Sequence, residues 1–329
     1  MIEKRPQREW IPKTEDFMKA IPKFNGVLNI DKPAGMTSHD VVAAVRRMAG
    51  QRKVGHAGTL DPLAGGVLLV CLGQATRVVE YLMVGRKSYR ATILFGQTTT
   101  TYDLDGEVVS GGLRADFSLA EIEAALAGFV GPIDQVPPVY SAIKQQGQPL
   151  YKLARQGKDV ELLPRPVEIY GLDLEGWKPP VLTVEVTCSP GTYIRSLAHD
   201  LGRRLGSGAC LAGLIRLRSG RFSLEDSVSL ERLEEAFRHG QESDYLLPLD
   251  EALLDLPALI LSQSDTHRIL QGQFLNAAGS EPSSRMPQTA SIQNPTCRAY
   301  SPSGDLIAIL SYDPTTSSWR PAKVFAAQS

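Results

Sequence analysis

The stretch of this 329-residue chain richest in possible chemistry is GHAGTLDP at residues 55–62, where Asp61 stands last before Pro62. Gly55 and Gly58 permit tight backbone bends, and Pro62 disfavours helical geometry at the residue before it, which holds Asp61 extended at the end of a turn. An aspartate with a reference pKa of about 3.9 is ionised at neutral pH, so its carboxylate can act without an activating base. An aspartate in such a loop can equally do no more than cap a turn. The same two readings apply to His56, which either meets a ligand or is a loop histidine satisfied by backbone. From the loop alone both stand.

The elements around the loop set where it can point. Residues 26–30 (GVLNI) read as a short strand stopped by DKP at 31–33. Thr37 and Asp40 form a capping-box start to a helix running through Met48, with Val41, Val42, Val45 and Met48 as its apolar stripe and Gly50 as its stop. The carboxylate loop follows, then an apolar strand over 67–72. Ala75 to Leu82 is predicted helical, 88–95 alternates as a strand, and 104–107 is a turn. Helices are expected over 119–129 and 193–205, with a strand over 181–186 between them. Residues 131–165 are rich in Pro, Gly, Gln and Lys and read as a mobile excursion from the core. Beyond an acidic helical stretch at 231–240, a short C-terminal part contains a Ser-, Pro- and Gln-rich insert, 278–296, expected to be disordered, and a hairpin of 298–300 with 306–310. The organisation read from this pattern is an extension over 1–24, a large α+β domain over 25–246 and a small β module over 247–329.

Composition narrows the class. No apolar run reaches the length needed to cross a bilayer, the charged N-terminus has no secretory core, and Cys71, Cys188, Cys210 and Cys297 have neither metal spacing nor a disulfide framework. A cytoplasmic chain is expected. A formal net charge of −1 does not announce a nucleic-acid binder, yet residues 23–53 carry six basic side chains against two acids, and residues 195–221 carry six arginines against Asp200 alone. Two such stretches on one face could hold phosphates; dispersed, they are solvated surface. Residues 231–256 run the other way, with eight acids against two arginines.

Taken in order, the motifs resemble one family closely. Residues 26–40 (GVLNIDKPAGMTSHD), 53–67 (KVGHAGTLDPLAGGV), 72–77 (LGQATR), 87–90 (KSYR), the Thr-rich turn ending DLDG at 103–106, 137–144 (PPVYSAIK), 151–157 (YKLARQG) and 191–197 (GTYIRSL) are similar to the TruB family of tRNA pseudouridine synthases. The resemblance covers about 25–225. It implies an α+β fold, with a mixed or antiparallel sheet in the catalytic domain and a small PUA-like C-terminal β domain. It implies an isomerase that turns uridine 55 in the T loop of tRNA into pseudouridine; a monomer is expected, though the sequence does not fix the oligomeric state. By the same resemblance Asp61 is the catalytic aspartate, Arg195 its partner and Tyr89 the ring stacked on the target base. Leu214 lines the pocket, His56 supports RNA after the base has flipped out, and Lys32 belongs to a structural motif beside the site. Tyr193 stands in the GTYIRSL motif, and 131–165 resembles an insertion closing on the T loop, where Lys144 and Arg155 would meet phosphates. Gly65, Thr100 and Cys210 depart from the common pattern without touching Asp61, Tyr89 or Arg195.

The implied chemistry suits these residue types. Uridine and pseudouridine contain the same atoms, so no redox cofactor and no metal is called for. A carboxylate can add to the anomeric carbon, add to C6 of the ring, or take a sugar proton; the sequence does not choose. Arg195 could hold that carboxylate bidentately and favour its charge, and Tyr89 offers a flat face to a detached uracil. Two rivals remain in view. DLDG at 103–106 resembles the nucleophile motif of haloacid-dehalogenase-type phosphatases, but it follows a Thr-rich run rather than an apolar strand, so that reading is rejected. A non-catalytic tRNA-binding or tRNA-folding protein would need only the basic clusters.

Overall fold

A computed structural model describes residues 23–140, 162–276 and 295–325, together with the backbone of two short strands, Lys144–Gln145 and Gln148–Pro149. Arg155 and most of the Ser-, Pro- and Gln-rich insert lie outside the described residues, as do residues 1–22.

The centre of the molecule is β3 (Ala64–Leu72), all nine of whose residues are buried. That unbroken apolar run is what a strand covered on both faces requires. β1 (Gly26–Lys32) pairs antiparallel along its whole length. α1 (Ser38–Ala49) starts at the capping box read from the sequence, with Thr37 and Asp40 bonding reciprocally, and stops at Gly50 in the left-handed region, φ 58°. The other edge of β3 is shared. β2 (Val54–Ala57) pairs antiparallel with Leu69–Leu72, whereas Leu214–Arg216 of a later strand pair parallel with Ala64–Gly66.

The sheet continues through β4 (Lys87–Phe95), β5 (Gly131–Gln135), β6 (Arg165–Lys178), β7 (Val181–Cys188) and β8 (Ala209–Ser219), in the spatial order β1-β3-β8-β4-β7-β6-β5. Every contact in this run is antiparallel except β3 with β8. α2 (Leu119–Ala127) and α3 (Ile194–Arg204) contribute Ile122, Leu126, Leu197 and Leu201 to the core that also takes Val41, Val42 and Val45 of α1. α4 (Leu230–His239), capped by Ser229 and Gly240, packs beside α1. A separate five-stranded sheet, from Ala258 onward, forms the C-terminal module.

Several expectations shift. Residues 131–135 are an edge strand paired with 165–169, so both ends of the expected excursion lie in the sheet. Ala75 to Leu82 is a 3₁₀ turn, Gly73–Arg77, followed by a short helix, Val79–Met83. Leu246 and Leu247 pair with β1, which keeps them in the large sheet. At the other boundary Phe24 packs edge-on against Phe237, 5.4 Å between centroids. Thr296, at the end of the expected insert, opens a strand. Among the described residues no helix is long and apolar enough to cross a membrane.

Candidate active site

The carboxylate loop leaves the sheet where β3 changes partner. β2 holds the edge as far as Ala57 opposite Leu69, and β8 takes over at Arg216 opposite Gly66, leaving Val67 and Leu68 between them. Gly58 turns the chain out at φ 86°. The loop is then fixed from α1. Ser38 Oγ accepts from Leu60 N at 2.9 Å and donates to Leu60 O at 3.0 Å, while Gly35 N donates to Pro62 O at 2.8 Å. His56 therefore sits on a strand rather than in the loop.

Arg216 plugs the opening. Its side chain is nearly inaccessible, and it donates from Nε to Val67 O (2.7 Å) and from NH2 to Gly58 O (3.0 Å). It also bonds the Tyr89 hydroxyl. A strand edge that would otherwise bury orphaned carbonyls is thereby satisfied. Gly66, directly opposite, has φ 92°, and a Cβ there would lie 2.4 Å from the carbonyl oxygen of Arg216. Only glycine fits.

Arg195 reaches the loop from the first turn of α3. Its Nε lies 3.0 Å from Asp61 Oδ2, NH1 lies 3.4 Å from Asp103 Oδ2 and donates to Thr101 O (3.1 Å), and NH2 donates to Tyr140 O (2.9 Å). The grip on Asp61 is one-armed, not the bidentate contact expected, because the rest of the guanidinium serves three other acceptors. Arg195 is 7% exposed and Asp103 5% in their side chains, whereas Asp61 is 40% exposed and is the open end of the trio. The pKa of Asp61 is raised above its ordinary value by burial first, then held back by Arg195 and raised again by Asp103. The arginine favours the charged form, as expected, but only limits a shift whose net direction is upward. The start of α3 is set by Gln135 at the end of β5, which accepts from Tyr193 N (2.7 Å) and donates to Tyr193 O (3.0 Å).

Tyr89 lies on β4 opposite Arg216 on one side and Val186 on the other, 8% exposed. Burial raises its pKa, Arg216 opposes this, and the charge of Asp61 reaches it. Leu214 pairs with Ala91 and Ala64 one row along and is nearly buried. Asp61, Arg195, Tyr89 and Leu214 therefore converge. Lys32 is fully buried and spends its ammonium on Pro33 O and Met36 O, so it braces the turn before α1 and offers no surface to a substrate. Burial lowers its pKa. His56 stands edge-on to His39 at 5.5 Å, and its buried Nδ1 finds no hydrogen-bond partner among the described residues. Burial, then His39 and Arg216, lower its pKa, which favours the neutral ring. For Lys144 only the backbone is described.

Asp103 and Arg216 were not singled out from sequence. Asp103 looked like part of a rejected motif, and its burial beside Arg195 depends on contacts remote along the chain. Arg216 had a signal: an arginine within the apolar run of β8 is costly unless it bonds internally. Surface cavities also lie away from Asp61. One of about 530 Å³ sits between α1 and α4, lined by Arg47, Met48, Glu231, Glu234, Phe237 and others. Among the described residues no three His, Cys, Asp or Glu side chains are grouped to hold a metal.

Comparison with known proteins gives one direction. Residues 46–194 match the N-terminal domain of TruB family pseudouridylate synthases, and residues 195–254 match the tRNA pseudouridylate synthase B C-terminal domain. A tRNA pseudouridine synthase B of Syntrophotalea carbinolica is 46% identical over 249 residues, 76% of this chain and 81% of that one. One from Dehalococcoides mccartyi (strain CBDB1) is 42% identical over 306 residues, 93% of this chain and 98% of that one. Among solved structures, a chain of an H/ACA ribonucleoprotein bound to a substrate RNA containing 2'-deoxyuridine superposes with a TM-score of 0.70 at 25% identity, covering 92% of this chain and 86% of that one.

Proposed function

Because the chain belongs to the TruB family of pseudouridine synthases, we propose that it isomerises uridine 55 in the T loop of tRNA to pseudouridine, with Asp61 as the catalytic carboxylate. The observation that carries this reading is the 3.0 Å approach of Arg195 Nε to a half-exposed Asp61, at the fork of the central strand. A carboxylate there is fixed by backbone and open on one side. Whether it adds to the anomeric carbon, adds to C6 or removes a sugar proton, each route starts from its ionised form.

Tyr89 supplies the ring that retains the detached uracil while it turns. Burial raises the pKa of its hydroxyl, which favours the neutral phenol. Leu214 provides the apolar wall. A uridine cannot reach this floor while stacked in the arm. Its extrusion costs a few kcal/mol, and the neutral ring of His56 beside the loop is assigned to the vacated stack. Tyr193, Lys144 and Arg155 are assigned to the RNA arm, with the C-terminal five-stranded module read as PUA-like. Lys32 braces the turn before α1, whose Gly35 N in turn bonds Pro62 O of the loop.

The test is tritium release from tRNA carrying C5-labelled uridine. Asp61→Asn should abolish release while tRNA affinity stays within a few-fold. Turnover above background in that variant would refute the assignment, and binding without release by the unaltered protein would favour a non-catalytic role in tRNA folding.

A further inference from the structure

The turn that carries Asp103 is held by α3 at two points, and only one of them is Arg195. His199 follows Arg195 by four residues, so both project from the same face of the helix. Its imidazole stacks on the Tyr102 ring with 3.9 Å between centroids and 14° between planes. Tyr102 lies between the two turn residues that Arg195 touches, Thr101 and Asp103. It has φ 63°, a left-handed conformation that a bulky non-glycine residue adopts only when its surroundings hold it there. Its carbonyl accepts from Leu211 N (2.9 Å), and Leu104 N donates back to Leu211 O (3.1 Å), which ties the turn to β8. Neither bond fixes the direction of the side chain. The stack does.

We propose that the Tyr102–His199 stack is a positioning device, which holds the 101–103 turn where Arg195 can bridge Asp103 and Asp61. This rests on Asp61 being the catalytic carboxylate. Two of the four acceptors of Arg195 come from this turn. When the strained residue loses its stacking partner, it relaxes, Thr101 O and Asp103 move, and the guanidinium follows them away from Asp61. Arg195 is the main influence holding down the pKa of Asp61, against burial, Asp103 and Asp105, with Lys32 a smaller help. A weaker hold raises that pKa further, so the acid limb of activity moves to higher pH. Asp200 and Arg203 are the charged groups that act on both rings of the stack.

The experiment is the pH profile of kcat, from tritium release with saturating tRNA, for His199→Leu, His199→Phe and Tyr102→Ala. His199→Leu keeps buried volume without a flat face. It should melt near the unaltered protein yet lose about threefold in kcat on the acid limb, with KM within twofold and that limb displaced upward by about half a pH unit. His199→Phe restores a flat ring and should restore the profile. Tyr102→Ala should reproduce the displacement from the other side. An unshifted acid limb in His199→Leu, or equal damage from Phe and Leu, overturns the proposal. A failure of the Asp61 reading would show separately, as turnover by Asp61→Asn.

Discussion

At the scale of single residues the site is governed by one carboxylate whose surroundings make its charge uncomfortable. Burial and the neighbouring Asp103 raise the pKa of Asp61 more than Arg195 lowers it, so the folded protein holds that proton more tightly than the unfolded chain does. The stabilising contribution of the protonated form is present below the ordinary value of 3.8, and it is lost as pH rises through the raised folded value. At neutral pH the charge is therefore a cost in stability, one that the proposed role of Asp61 would require. Asp61→Asn, a neutral isostere, should melt at a higher temperature than the unaltered protein at pH 7.5, and calorimetry should find the gap closing towards pH 4. A lower melting point at pH 7.5 would show that the pairing with Arg195 outweighs the desolvation. If Asp61 is the catalytic carboxylate proposed above, the same shift moves the acid limb of kcat upward. How much of this was legible in sequence is uneven. The Gly-rich loop before Pro62 marked Asp61 as poised, but a local pattern could not separate a cap from a catalyst. Asp103 was hidden by a motif with another association, because its partner arrives from α3.

At the scale of elements the decisive feature is a strand that changes neighbours. β3 was readable because a buried central strand is apolar throughout. β6 was not readable: its register shifts beside Gly171 and Gly176 break the alternation that would have marked a 14-residue strand. β8 was obscured by Arg216 and Arg218 within an apolar run. The buried arginine explains itself only once the shared edge of β3 is seen. Its stabilising role can be measured. Arg216→Met keeps much of the volume but strands the carbonyls of Gly58 and Val67, each worth about 1–3 kcal/mol when buried without a partner. A loss of about 2–6 kcal/mol in urea unfolding is expected, with kcat reduced because the loop before Asp61 is no longer held. Arg216→Lys should not rescue it, since one ammonium lacks the planar fork that reaches both carbonyls. A loss below about 1 kcal/mol would mean that water replaces the guanidinium at little cost.

At the scale of the whole molecule, a chain of net charge −1 must still attract a polyanion. The C-terminal module is docked on the catalytic domain through Ile309 and Phe325 in the core beneath β3, through Arg77 NH1 donating to Val324 O, and through the pair of Lys323 with Glu80. The two parts thus form one packed body, and the basic stretches read from sequence are partly spent within it. Of their twelve cations, Lys32, Arg195 and Arg216 are buried and bonded internally, and nine are exposed. Arg47 shares a surface cavity with Glu231 and Glu234, so its charge is partly offset by the acidic stretch that follows. Each phosphate neutralised contributes about −0.9 to the slope of log K against log salt, so nine contacts would set a limit of about −8. With several cations spent or offset, the slope should fall between about −3 and −6, measured by fluorescence anisotropy of labelled tRNA from 50 to 300 mM KCl. Charge reversal at Arg204 or Arg218 should flatten it by about one unit wherever the residue meets a phosphate. A slope near zero would mean that these clusters are solvated surface after all, and that shape and base contacts in the cleft carry the affinity.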